Sequence, residues 1–154
     1  METTKARELA INLIQKHKLD IEGWTFKYTN AKTVFGKCSY KSKTISLSKP
    51  LTIVNKKDDV VNTILHEIAH ALCPKQNHNN IWKSKAKEIG CDGSRCYCTD
   101  KIKQPKSKYV AICVGCKKVY KAYRLRKRKS SCGFCSGGKF NPLYKLQYTT
   151  PPLK

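Results

Sequence analysis

Two C-x-x-C pairs, Cys113-Val-Gly-Cys116 and Cys132-Gly-Phe-Cys135, constrain this chain more than any other feature. Only residues 117–131 lie between them. Four thiols so spaced can converge on one tetrahedral ion, and four thiolates leave no open position on it. The pattern therefore predicts a structural zinc ribbon. A lone pair could serve redox chemistry, but two at this separation fit a metal. Gly115, Gly133, Gly137 and Gly138 suit the tight knuckle turns. The chain has nine cysteines, an odd number, which argues for metal sites in a reducing compartment over disulfides. Cys91, Cys96 and Cys98 form a close trio with no evident fourth ligand and stay unassigned. Cys38 and Cys73 read as buried packing residues.

The C-terminal stretch that contains the ribbon also holds most of the charge imbalance. The formal net charge is +22. Residues 1–95 carry 17 Lys/Arg against 9 Asp/Glu, whereas residues 96–154 carry 15 against Asp100 alone. Such a basic half predicts a polyanion partner. Between the knuckles, KKVYKAYRLRKRKSS alternates like a strand and ends in a charged tip. Lys117, Lys118, Lys121, Arg124, Arg126, Lys127, Arg128 and Lys129 are the candidate phosphate contacts, with Tyr120 or Tyr123 stacking on a base. No base-reading helix is evident, so the expected partner is single- or double-stranded DNA with weak sequence preference. No stretch nears the roughly 20 apolar residues of a membrane span, and no basic amphipathic helix with bulky anchors suggests a membrane surface. A soluble, monomeric, intracellular protein is expected, in the nucleus or, for a viral or bacterial origin, the cytoplasm.

Upstream, METTKARELAINLIQKHK has the helical period, with Ala6, Leu9, Ala10, Leu13 and Ile14 on one face. Three short strands follow: WTFKYTN, TVFGKCSY and KTISLSKP, the last closed by Pro50. They read as a small antiparallel sheet. A long helix is predicted from Asn55, its N-cap, to Cys73, with Pro74 stopping it. Another runs from about Asn80 to Ile89 and ends at Gly90. TDKIKQPKSK, residues 99–108, reads as a linker.

The long helix contains the chemistry. Val61, Leu65, Ile68 and Leu72 form an apolar stripe, and His66 and His70, four apart, project together from the other side. That H-E-x-x-H spacing suits two imidazoles on one zinc ion, with Glu67 as general base toward the attacking water. A catalytic zinc takes three protein ligands. His78, after a short loop, is the preferred third, with Glu88 as its rival; His17 reads as a helix-end surface residue. Trp82 would fix the start of the next helix. Tyr28 and Tyr40 are weak candidates for stabilising an oxyanion.

GKCSYKSKTISLSKPL, VVNTILHEIAHAL and HNNIWKSKAKEIG together resemble the SprT-like, or Spartan-like, zinc metalloprotease family over roughly residues 20–95. The segment between His70 and His78 is shorter than in Spartan-like members and closer to compact bacterial and phage ones. The resemblance implies an α+β fold: a zincin-like domain with an N-terminal helix, a small sheet and the H-E-x-x-H helix, followed by a β-rich ribbon. It implies a metalloprotease domain over 1–98, the linker over 99–108 and a ribbon over 109–154. It further implies a catalytic zinc on His66, His70 and His78 beside the structural one, proteolysis with Glu67 as base, and protein substrates bound or crosslinked to DNA. Two other functions stay open: a nucleic-acid-binding protein on an inert zincin scaffold, and a protease for free proteins that ignores DNA.

Overall fold

In the computed structural model, residues 1–94, 102–125 and 127–151 are described. Cys96, Cys98 and Arg126 lie outside them. The chain divides into two compact units, Met1–Pro105 and Lys106–Lys154.

The first unit mixes helices with a three-stranded sheet. Helix α1 (Thr3–Lys16) buries Ala6, Ala10 and Ile14. Strands β1 (Thr25–Thr29), β2 (Gly36–Ser39) and β3 (Thr44–Ser48) follow in sequence, but their order in the sheet is β1-β3-β2. The sheet is not all antiparallel as the strand pattern predicts. β2 and β3 form an antiparallel hairpin, whereas β1 runs parallel to β3. The alternation of Trp24, Phe26 and Tyr28 sets which face of β1 is buried; it carries no information on strand direction. Flanked on both edges, β3 is buried at every residue.

Pro50 does not close this region. It sits in the first turn of a short helix, α2 (Lys49–Val54), whose N-cap Ser48 accepts from the Leu51 N–H at 3.1 Å. Proline is tolerated there because that N–H has no helical partner in any case. Asn55 is therefore the end of α2, and helix α3 (Lys57–Leu72) begins after Lys56, whose N–H is capped by Asp59 at 3.3 Å. The Asn55 side chain instead clips a distant segment. It donates to the Lys103 carbonyl at 2.9 Å and accepts from the Lys103 N–H at 2.7 Å. Ile102 packs against the same core.

Helix α3 is the axis of the unit. Val60, Ile64, Ile68 and Ala71 join α1 and the sheet in one core cluster. Leu65, Ala69 and Cys73 join Trp82 and Ala86 of helix α4 (Asn80–Glu88) in a second. A helix sandwiched in this way is buried well beyond a single stripe. The helix thus departs from the one-sided pattern predicted for it, and His66 and Glu67 are buried with the apolar residues.

The second unit is a small β-rich module. Strands β4 (Tyr109–Ile112) and β5 (Val119–Ala122) pair antiparallel, and Val110 bridges to Thr149 near the chain end. Its core holds Ala111, Cys113, Cys132 and Leu146. No helix among the described residues is long and apolar enough to cross a membrane.

Ile64 is fully buried, so Ile64→Ala should destabilise the first unit by about 2–5 kcal/mol. Ile53 is 57% exposed, and Ile53→Ala should cost no more than about 0.5 kcal/mol. Both tryptophans lie in this unit, so urea unfolding followed by tryptophan fluorescence reads the difference.

Candidate metal centres

Three imidazoles meet in the first unit. His66 and His70 lie one turn apart on α3. His78 reaches them from the loop between α3 and α4, where its backbone takes a left-handed conformation, φ 54°. Its N–H donates to the Gln76 carbonyl at 3.0 Å, and Asn79 then caps α4 by accepting from the Trp82 N–H at 3.1 Å. A non-glycine residue held in that backbone region marks a loop fixed by its surroundings. The His78 Nε2 lies 3.0 Å from His70 Nε2 and 3.1 Å from His66 Nε2. Nitrogens about 2.0–2.1 Å from one tetrahedral ion would stand roughly 3.3 Å apart, so the donor set fits zinc.

Trp82 is fully buried and touches all three rings, with centroids 4.5–5.0 Å away. Among the described residues no acceptor meets its indole N–H, which leaves a buried donor beside the cluster. Glu88, the rival ligand, is elsewhere: it pairs with Lys85 at 2.6 Å on the exposed side of α4. His17 ends α1 and is outside the cluster.

Burial, then the neighbouring imidazoles, pushes His66 and His70 down to about 4. Both are neutral at pH 7, the form that binds a metal. Burial pushes the Glu67 carboxyl up to about 7, opposed by the Cys38 backbone N–H that donates to it. A carboxyl poised near neutrality can accept and release a proton there.

Some contributors carry no local sequence signal. The Ser94 backbone carbonyl accepts from the His66 ring, and the Asp92 charge also favours its protonated form. Asn62, one turn before His66, holds this segment by accepting from the Asp92 N–H at 2.9 Å. Such partners orient a ligating imidazole. The two tyrosines considered for an oxyanion are engaged with backbone: Tyr40 donates to the His70 carbonyl at 2.7 Å, and Tyr28 to the Thr3 carbonyl at 2.8 Å.

Four sulfurs meet in the second unit. Cys113 and Cys135 stand 3.7 Å apart, Cys116 and Cys132 3.6 Å. Thiolates about 2.3 Å from one tetrahedral zinc would be roughly 3.75 Å apart, so this set fits as well. The Cys135 backbone N–H and the Tyr120 hydroxyl, 3.0 Å from Cys132 Sγ, pull the Cys132 thiol below its ordinary range, toward the ligating thiolate. Gly115 is required for space: a Cβ there would lie 2.9 Å from the Tyr144 ring and 3.1 Å from Cys135 Sγ. Cys91, Cys38 and Cys73 join neither set; Cys91 and Cys73 pack against α4, and Cys38 against the main core.

Of the candidate nucleic-acid contacts, Lys117, Lys118, Lys121, Arg124, Lys127, Arg128 and Lys129 are exposed, and Tyr123 is half-buried. Tyr120, also half-buried, packs against the core of the second unit with its hydroxyl 3.0 Å from Cys132 Sγ. Lys127, Arg128 and Lys129 line a cleft with Lys145 and Tyr148. The chain brings Lys145 there by bridging it to Ser131, a pairing that no local pattern announces.

The SprT-like family model matches residues 6–102, a stretch that contains the three-histidine cluster and Glu67. A comparison with curated proteins returned no match.

If His78 is the third ligand, His78→Ala loses the zinc of the first unit and Glu88→Ala keeps it. Elemental analysis decides, and the reverse pattern would assign the ligand to Glu88.

With metal removed, acid should destabilise this unit. Unfolded histidines take up protons near 6.5, whereas His66 and His70 do so only near 4, so stability falls as pH drops through that window. Glu67 works the other way: folded, it keeps its proton up to about 7, and unfolded only to 4.5, so its contribution falls as pH rises. Two imidazoles outweigh one carboxyl. Removing the opposing group with Glu67→Gln should steepen the loss of apo-protein stability between pH 6.5 and 4.5, read from urea midpoints. Equal slopes would contradict the raised carboxyl.

Proposed function

We propose that this chain, which belongs to the SprT-like family, is a zinc-dependent endopeptidase that cleaves proteins bound or crosslinked to DNA. The family indicates a zinc-dependent, protease-like fold. The observation that carries the catalytic reading is the convergence of His66, His70 and His78 beside a buried Glu67. Three imidazoles leave a fourth position for water or substrate, unlike the four thiolates of the ribbon. Zinc at this site would polarise the scissile carbonyl and acidify water. Glu67 takes the proton of the attacking water and delivers it to the leaving amine. Burial raises its proton affinity above that of an exposed carboxyl, which suits it to the first transfer. An inert scaffold would have no use for a buried carboxyl beside three converging imidazoles.

The ribbon supplies the tether. Its exposed Lys117, Lys118, Lys121, Arg124, Lys127, Arg128 and Lys129 offer phosphate contacts, and with Arg126 they form the basic run of the sequence. Holding the protease on DNA raises the local concentration of a DNA-bound substrate with no added active-site contact. A protease for free proteins would cleave equally well without DNA.

The test is cleavage of a DNA-bound protein, with and without DNA and chelator. Wild-type protein should cleave only with zinc, and faster with DNA. Glu67→Gln should retain zinc and lose about 10²–10⁴-fold in rate. Neutralising Arg124, Arg126, Lys127, Arg128 and Lys129 should slow cleavage of the DNA-bound protein and spare a short free peptide. It should also flatten the salt dependence of DNA binding, by about 0.7–0.9 in log–log slope for each phosphate no longer neutralised. DNA-independent cleavage would support the free-protein reading, and cleavage by Glu67→Gln at the wild-type rate would remove Glu67 as the base.

A further inference from the structure

We propose that Gly36 is the positioning residue for Glu67: by lacking a Cβ it lets β2 press against α3 and hold the carboxylate in place. This rests on the reading of Glu67 as the general base. A Cβ at Gly36 would lie 2.6 Å from Glu67 Oε1, 2.8 Å from Glu67 Cγ and 2.8 Å from Thr63 Cγ2. All three separations are closer than real Cβ atoms tolerate. The backbone of Gly36 is not left-handed, so conformation does not demand glycine there. Space does.

The surroundings decide what would move if that space were filled. Thr63 lies one turn before Glu67, and its hydroxyl donates to the Asp59 carbonyl at 2.7 Å, which fixes its rotamer and aims Cγ2 at the strand. The strand is held as well. Gly36 pairs with Leu47, and the neighbouring Phe35 carbonyl accepts from the Ser48 N–H at 2.7 Å. The Glu67 side chain is the softest of the three, since only rotation about its own bonds is needed to displace it. Its carboxylate is gripped two residues further along the same strand by the Cys38 backbone N–H. A methyl group at position 36 therefore drives the carboxylate off that N–H and out of register with the three imidazoles. A displacement of about 1 Å can cost on the order of 10²-fold in rate while leaving binding intact.

The experiment compares wild-type protein, Gly36→Ala, Glu67→Ala and Glu67→Gln. The first readout needs no activity: the Cys38 amide resonance in ¹H–¹⁵N spectra, with and without zinc. In Gly36→Ala it should move toward its position in Glu67→Ala, where the acceptor is gone. The second is cleavage of fluorescein-labelled casein. Gly36→Ala should lower kcat by about 10- to 100-fold, with KM and zinc content within about twofold of wild type. A Cys38 amide that stays in place, or a kcat loss that only follows loss of zinc or of folded protein, overturns the proposal. Should Gly36→Ala fail to fold, Gly36→Ala/Thr63→Ser is compared with Gly36→Ala/Thr63→Ser/Glu67→Ala, because the serine removes the Cγ2 contact and emptying position 67 removes the other two. A triple variant as unstable as the double one overturns the proposal too. Glu67→Gln separates the two readings. If it cleaves at the wild-type rate, Glu67 is not the base, and the amide shift still reports whether Gly36 places its carboxylate.

Discussion

Helix α3 is covered on both sides, so His66 and Glu67 are inside the protein because the apolar residues around them are. Burial disfavours charge on each group. The imidazoles respond by staying neutral and the carboxyl by keeping its proton toward neutral pH. Nothing in this response requires a dedicated residue for each shift. It follows from threading three polar side chains through a two-sided core, and it leaves a set of lone pairs aimed at one point with no positive charge among them. A divalent cation is the complement to that arrangement.

Two walls divide the work. On one side α4 presents Trp82 to all three imidazoles, and the segment after it supplies the Ser94 carbonyl to His66. On the other, β2 approaches closely enough to hold Glu67 with a backbone N–H. The ligands and the carboxyl are thus set by different elements, although His66 and Glu67 are neighbours in sequence. Tyr40, at the end of the β2–β3 hairpin, ties the second wall to the helix through the His70 carbonyl.

Much of this is legible in the sequence, for physical reasons. The i, i+4 spacing of His66 and His70 fixes their common side of the helix, and the paired C-x-x-C spacing brings four thiols together. That Glu88 stands outside the three-histidine cluster is not legible, because it depends on which side of α4 faces α3. The parallel run of β1 is not legible either, since alternation is the same for both directions. Ser48 and Pro50 read as the end of a strand, although a serine two residues before a proline is also how a helix begins. The Asn62–Asp92 and Ser94–His66 contacts use backbone groups, which leave no mark in the identity of residues. Gly36 has a mark, as a glycine inside a strand, but which neighbour needs the space is visible only in the packing.

The two units stand in different relations to their metals. The three-histidine set is framed by a core containing Leu47, Ile64, Ile68 and Trp82, residues whose burial does not depend on an ion. The core of the second unit holds Ala111 and Leu146 beside Cys113 and Cys132, so half of the buried residues described there belong to the four-thiol set. Binding at the first site spends little on ordering the chain, whereas at the second the free energy of coordination is largely the free energy of folding. With zinc in both sets, a chelator would empty a standing pocket in the first unit and unfold the second, so the two units would fail by separate routes.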